Sequence, residues 1–252
     1  MRRHSIIAAA ALLSIAVLLL FFQKPGNRAD VAIAVASNFG PPAKAIAAAF
    51  EKKSGLTVSL STGSTGKHYA QIKRGAPFDL FLAADTKRPG LLEEEGFGIA
   101  NTRFVYAIGR LVLWSPDPAT FTDGVQYLKG DSFRHLALAN PELAPYGAAA
   151  VEVLNSLGVL LESKWVRGEN ISQTFHFVKS GAAEVGFVAL SQVQVSGKAV
   201  EGSQWVVPAE SHPPIEQGAI LLTDTPAARE FVEFLKSTEA KDIIHKFGYD
   251  LP

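Results

Sequence analysis

No cysteine occurs among the 252 residues, and methionine occurs once. Disulfides, thiolate nucleophiles, iron–sulfur clusters and cysteine-ligated zinc are therefore excluded, and the fold rests on its apolar core. Net charge is missing too, since 24 Lys and Arg balance 24 Asp and Glu, which argues against a nucleic-acid binder driven by bulk positive charge. The six histidines show no HxxxH, HxH or HExxH spacing, and there is no Gly-x-Ser-x-Gly elbow, so the common signatures of metal sites and hydrolase nucleophiles are lacking. Internal repeats, heptads and low-complexity tracts are absent as well. Hydrophobic residues make up 48% of the chain, enough to exclude disorder and to bury a substantial core in one large domain or two lobes.

The neutrality averages over two unlike parts. Residues 1–29 hold Arg2, Arg3, Lys24 and Arg28 and no acidic residue, so the remainder carries 20 basic against 24 acidic residues, a net charge of −4. Between the basic start and Gln23, Ser5 to Phe22 is an uncharged run of 18 residues. Such a start is an export signal, and this run just reaches the length of a membrane-spanning helix. Residues 1–29 are therefore either a signal peptide or an N-terminal membrane anchor; a small-residue cleavage site lies after Ala29, with Asn27 where a small residue is preferred. In either case the protein works outside the cytoplasmic membrane.

From Asp30 onward, short apolar runs alternate with helical segments. Val31–Ala36 is a buried strand, Ser37 to Pro42 turns into a helix with prolines at its start, and that helix ends at Gly55. Leu56–Leu60, the small-residue loop Thr62–Gly66, a helix over Lys67–Arg74 and a strand over Phe78–Ala83 repeat the unit. This alternation predicts an α/β protein with parallel strands. Arg103–Trp114 is one long β-like segment with Gly109 inside it, suited to carry the chain into a second α/β lobe. Further strands are expected at Leu136–Ala139, Val185–Ala189 and Gly218–Leu222, with helices from about Tyr146 to Leu157, from Asn170-Ile171, and over Pro226–Lys236 and Glu239–Phe247. The expected division is residues 30–110 with 222–252 as the first lobe and 111–221 as the second.

In open α/β sheets ligands collect at the carboxyl ends of strands, where helix N-termini present unpaired N–H groups. Ser37-Asn38 and Thr62-Gly63-Ser64-Thr65-Gly66 follow the first two strands and suit that role. Taken singly, Ser37, Asn38 and Ser64 are what helix caps usually look like; two such loops after consecutive strands point to an anion site. Gly63-Ser-Thr-Gly-Lys67 is not a phosphate-binding P-loop, because Ser61 stands where its first glycine belongs and His68 follows the lysine. Lys67 is read as a solvated helix-start residue, Asp85 as the cap of the helix opening at Thr86, and Glu93-Glu94-Glu95 as a solvated helix end.

The order VAIAVASNF, LSTGSTGKHYAQIKRGAPFDLFLAAD, ALANPELAPYGAAAVEVLNSLG and SGAAEVGFVALSQV closely resembles the periplasmic molybdate-binding proteins of ABC transporters, over essentially the whole exported part. The resemblance implies a two-lobed periplasmic-binding-protein fold of type II kind, with a ligand cleft between lobes. It implies a binding protein rather than an enzyme, with no cofactor. The implied ligand is molybdate and also tungstate, with molybdenum held through its oxygens and no direct protein–metal bond. The implied partner is an inner-membrane permease, and a monomer acting in the periplasm without nucleic acid is expected. Carried over residue by residue, the resemblance assigns ligand contacts to Ser37, Asn38, Ser64, and the backbone N–H groups of Tyr146 and Ile171, with Thr65 sharing the role of Ser64. Some members add a tyrosine hydroxyl after a later strand; this chain has Ala189 there, and Asn38 is the expected replacement donor. The alternative ligands are sulfate or phosphate, with an exported hydrolase the last alternative.

Overall fold

The computed structural model describes residues 28–130, 132–159, 162–195 and 198–252. The 18-residue apolar run lies outside them, and among the described residues no helix is long and apolar enough to cross a membrane.

The chain opens with β1 (Val31–Ala36), a single 3-10 turn at Ser37–Phe39, α1 (Gly40–Ser54), β2 (Val58–Gly63), α2 (Thr65–Lys73), β3 (Leu80–Leu82), α3 (Lys87–Glu94) and β4 (Phe104–Gly109). It continues through β5 (Leu111–Ser115), α4 (Gly124–Gly130), β6 (Leu136–Ala139), α5 (Pro145–Leu157), β7 (Trp165–Gly168), α6 (Ile171–Lys179), β8 (Val185–Ala189) and α7 (Leu190–Val193). A two-residue hairpin, β9 (Gln194–Val195) and β10 (Lys198–Ala199), precedes β11 (Ser203–Val206), β12 (Ile215–Leu221), α8 (Pro226–Leu235) and α9 (Thr238–Lys246).

Two five-stranded mixed sheets result, ordered β2-β1-β3-β12-β4 and β11-β5-β8-β6-β7. β1 pairs in parallel with β2 and β3, and β6 in parallel with β7 and β8. All six residues of β1 are buried, as expected of a central strand covered by helices on both faces. β2 sits at an edge and alternates, with Val58 and Leu60 half-buried and Ser59 and Ser61 exposed. Each sheet packs its own core. Val35, Ile46, Phe50, Leu82 and Phe231 belong to the first, and Leu113, Leu138, Val153 and Phe187 to the second. Asp79 ties the start of the described chain to the first sheet: its buried carboxylate accepts from the Ala32 N–H at 2.8 Å, the Thr223 hydroxyl at 2.7 Å and Arg28 at 3.0 Å.

The expected single strand over Arg103–Trp114 is two strands, one in each sheet, broken at Arg110. The segment is apolar enough to be one strand, but its halves pair with different partners: Phe104–Gly109 with β12 and Leu111–Ser115 with β8 and β11. The chain returns to the first sheet earlier than expected. β12 starts at Ile215 and runs antiparallel between β3 and β4, placing Ala219 opposite Leu82 and Leu221 opposite Leu80 in the first core, so the strand Ile215–Leu221 belongs with the first sheet rather than within 111–221. The two crossings are Arg110 and residues 207–214.

Candidate functional site

Four helical N-termini converge where the sheets face each other, and each follows the carboxyl end of a parallel strand, as β1 feeds the turn into α1, β2 feeds α2, β6 feeds α5 and β7 feeds α6. The first N–H groups of any helix lack an intrahelical acceptor and attract negative charge. Tracing where those groups go in each helix leaves a short list of free donors.

In α6 the Asn170 side chain caps the helix, accepting from the N–H groups of Ser172 and Gln173 at 3.0 Å each, while the Asn170 carbonyl accepts from Thr174 at 3.1 Å. The N–H of Ile171 is left over. In α5 Pro145 has no N–H to offer, and Gly147 and Ala148 both donate to the Ala144 carbonyl at 2.9 and 3.2 Å, which leaves the N–H of Tyr146. In α2 the Ser64 hydroxyl accepts from Lys67 at 3.2 Å, the Ser64 carbonyl accepts from His68 at 3.0 Å, and Gly66 donates across to the Leu143 carbonyl at 2.9 Å. Thr65 retains its N–H. Pro41 and Pro42 contribute none in α1, so the 3-10 turn at Ser37 and Asn38 supplies the donors there.

These residues wall a small cavity, lined by Ala36, Ser37, Asn38, Gly63, Ser64, Thr65, Ala84, Ala144, Pro145, Tyr146, Asn170 and Ile171. All six residues expected to touch a ligand, Ser37, Asn38, Ser64, Thr65, Tyr146 and Ile171, are on this wall and buried. No Asp, Glu, Lys or Arg is among the lining residues. A larger open groove runs past Asp85, Arg88, Glu142, Glu152 and Glu216, and its four carboxylates suit it poorly to an anion. Among the described residues no cluster of three His, Asp or Glu could hold a metal ion.

The Asn38 carboxamide has other partners. Its Nδ2 donates to Oε1 of Gln217 at 2.7 Å and to Oη of Tyr249 at 3.0 Å, so its two N–H bonds brace the loop from behind. Tyr249 returns a bond from its hydroxyl to the Asn38 carbonyl at 2.8 Å, and Ser191 of the second lobe donates to the same carbonyl at 3.1 Å. Ala189 caps α7 and gives its N–H to Gln192 at 2.9 Å. Asn38 therefore faces the cavity with its backbone, and the side-chain donor expected of it is engaged elsewhere. Burial holds the Tyr106 and Tyr146 hydroxyls well above the ordinary tyrosine pKa and pushes that of Tyr249 up to about 12, so all three keep their protons at neutral pH.

The lobes are closed on one another. Besides Gly66 to Leu143, the Ser172 hydroxyl donates to the Ser37 carbonyl at 3.1 Å, Arg88 donates to the Glu142 carbonyl at 2.7 Å, and Lys67 pairs with Glu169 at 2.6 Å across the mouth of the cleft. Lys67, read from the sequence as solvated, is half exposed and spans the lobes. Asp85 caps α3 as expected, accepting from the Arg88 N–H at 2.8 Å. Glu93 and Glu95 are engaged rather than free: Glu93 pairs with Arg103, and Glu95 accepts from Tyr69 at 2.9 Å and pairs with Lys73 at 3.0 Å. Beneath the α2 loop lies His68, buried with its Nδ1 3.0 Å from Oε1 of Gln71; desolvation holds its pKa below the ordinary value.

Sequence reasoning missed Ser172, Ser191, Gln217 and Tyr249, which hold the Ser37-Asn38 loop without lining the cavity. The cap Asn170 was legible, because Asn before an apolar helical pattern is a start signal.

Residues 31–250 match the family model described as bacterial extracellular solute-binding protein. The chain is 50% identical over 228 residues to the molybdate-binding protein ModA of Azotobacter vinelandii, covering 88% of this chain and 90% of that one. It is 48% identical over 230 residues to ModA of Rhodobacter capsulatus, covering 89% and 90%. Its fold superposes on the solved periplasmic molybdate-binding protein of Azotobacter vinelandii with a TM-score of 0.85, over 88% of this chain and 100% of that one at 38% identity. With this degree of likeness in sequence and fold, the chain belongs to the ModA family of bacterial extracellular solute-binding proteins.

Proposed function

We propose that the protein captures molybdate, and also tungstate, in the closed cleft and hands it to a membrane permease. The observation that carries this reading is the wall itself: donors remain on it after the helix caps are accounted for, and it has no carboxylate. A tetrahedral dianion offers acceptors on every side and no donor. The hydroxyl of Ser37, the hydroxyl and loop N–H groups at Ser64 and Thr65, and the N–H groups of Tyr146 and Ile171 meet those needs. The Ser64 hydroxyl accepts from Lys67 and still has its own proton to give. Each bond to a charged ligand contributes roughly 1.5–3 kcal/mol, and each helix end about 0.3–1 kcal/mol more.

Donors come from both lobes, so the set is complete only when they close, and the ligand favours the closed state by that difference. A wall without a carboxylate offers the proton of hydrogen phosphate no charged acceptor, which favours a fully deprotonated dianion. A smaller tetrahedron such as sulfate stretches bonds whose strength falls off beyond about 3.2 Å. The exported part carries a net charge of −4, so local donors rather than long-range attraction hold the dianion. Both halves of the donor set belong to one chain, consistent with a monomer, and no nucleophile–base pair lines the cavity, consistent with binding rather than catalysis. The protein acts outside the cytoplasmic membrane, with residues 1–29 either removed or kept as a tether.

Isothermal titration with molybdate, tungstate, sulfate and phosphate tests the reading. Heat with the first two and little with the others is expected. Silence with molybdate overturns it, and tight sulfate binding reassigns the ligand.

A further inference from the structure

We propose that Asn170 is a specificity-determining residue for the charge of the ligand. It caps α6 with a neutral amide where a carboxylate would cap as well, and so keeps the second lobe's wall of the cavity open to a fully charged dianion. The inference rests on the proposed capture of an oxyanion in that cavity.

The four helix starts that converge on the cavity share a bias. The turn into α1 has no side-chain cap, α2 is capped by the Ser64 hydroxyl, α5 has no side-chain cap, and α6 is capped by the Asn170 amide. None of them has an acidic residue in its first turn. Away from the cavity the chain does cap with aspartate. Asp85 accepts from the Arg88 N–H at 2.8 Å at the start of α3, and Asp123 accepts from the Gln126 N–H at 3.0 Å at the start of α4. Asp and Asn are nearly equal as caps, and the positive end of the helix dipole favours the charged one. Helix stability alone therefore gives no reason to prefer the amide at the start of α6.

The cavity supplies that reason. Asn170 is half-buried and lines the cavity. Its Oδ1 accepts from Ser172 and Gln173 at 3.0 Å each, and its Nδ2 has no hydrogen-bond partner among the described residues. Aspartate would keep both bonds to the helix and put an acceptor-only oxygen in place of the amide's two donors. The preceding residue, Glu169, does carry a carboxylate, but Lys67 meets it at 2.6 Å. An uncompensated negative charge on the wall of so small a cavity repels a dianion that fills it, with little screening by solvent or salt.

Titration calorimetry of Asn170→Asp and Asn170→Ser with molybdate, beside ligand-free thermal melts, tests the proposal. Asn170→Asp is expected to lose at least about 10²-fold in affinity while melting no lower than the wild type. Asn170→Ser, a cap without charge, is expected to lose at least about tenfold less than Asn170→Asp. A residue that only caps the helix would show no such order, because aspartate is as good a cap as serine. A smaller loss in Asn170→Asp overturns the proposal, and so do losses in the two variants that lie within tenfold of each other. A ligand-free melting temperature of Asn170→Asp clearly below that of the wild type also overturns it, since the carboxylate would then harm the helix rather than the ligand. A wild type that takes up no molybdate defeats the functional reading instead.

Discussion

In the first lobe the parallel pair β1 and β2 runs into Ser37 and Ser64; in the second the parallel pair β6 and β7 runs into Tyr146 and Ile171. The plan is shared, with two adjacent strands, two helix starts and one point of convergence, but the chemistry differs. The first lobe offers hydroxyls as well as N–H groups, while the second offers backbone N–H groups alone. A hydroxyl rotates to meet an acceptor and can be deleted by one substitution. A backbone donor is held by the helix that carries it, and side-chain changes leave it in place. One lobe is thus open to adjustment by mutation and the other serves as a fixed gauge.

The largest effect is expected where that difference is removed from the adjustable side. Ser37→Ala combined with Ser64→Ala deletes both hydroxyls, and two bonds to a charged ligand correspond to a loss of about 10²- to 10⁴-fold in molybdate affinity. Ser64 also caps α2, so the melting temperature is expected to fall by the equivalent of about 1 kcal/mol while the fold persists. Titration calorimetry beside a thermal melt separates the two. Affinity within a few-fold of wild type would put the hydroxyls outside the site.

The gauge side can be broken only through the backbone. Proline is tolerated at the first position of a helix, and Asn170 before Ile171 already has the extended backbone that a following proline requires, with φ −149° and ψ 170°. Ile171→Pro therefore removes the one first-turn N–H without a protein acceptor. A loss of about 10- to 150-fold in molybdate affinity is expected, with helical circular dichroism retained. Ile171→Val keeps the N–H and is expected to bind as wild type; equal losses in both variants would assign the effect to packing.

How much of this was legible depended on where the information sits. β1, α1 and α5 announce themselves locally, through an unbroken apolar run, prolines at helix starts, and Gly55 and Gly158 at helix ends with φ of 75° and 70°. The donor role proposed for Tyr146 and Ile171 has no side-chain signature, since an N–H looks alike in every residue, and only the resemblance singled them out. Asn38 shows the opposite failure. Its carboxamide looked like a ligand donor because its real partners, Gln217 and Tyr249, lie 179 and 211 residues further along the chain. The break at Arg110 was hidden because both sides of it are equally apolar. β7 and β11 were passed over as four-residue edge strands with Arg167 and Gln204 inside them.

The lobes differ again beneath their loops, for only the first has a buried histidine there. The pKa of His68 lies below its ordinary 6.5, so the folded protein keeps the ring neutral where the unfolded chain takes up a proton. The unfolded state then binds more protons, and stability present above pH 6.5 is lost as the pH falls from that value through the folded pKa. Urea unfolding at pH 7.5 and 5.5 is expected to give a lower midpoint at the acid end, and His68→Gln to flatten that dependence. An unchanged slope in the variant would assign the loss to other groups.

The smallest effect is expected at the rim, where the two lobes meet through side chains instead of a ligand. Lys67 and Glu169 approach to 2.6 Å, but their side chains are 49% and 56% exposed, and pairs so wet contribute about 0.2–1 kcal/mol. Lys67→Ala or Glu169→Gln should therefore speed molybdate release by no more than about fivefold, an effect that fades as salt rises above about 0.15 M. The Gly66 to Leu143 and Ser172 to Ser37 bonds join the same lobes at 2.9 and 3.1 Å and do not depend on either charge. A loss approaching that of Ile171→Pro would mean that rim charge, and not the fixed N–H donors of the second lobe, governs how long the cleft stays shut.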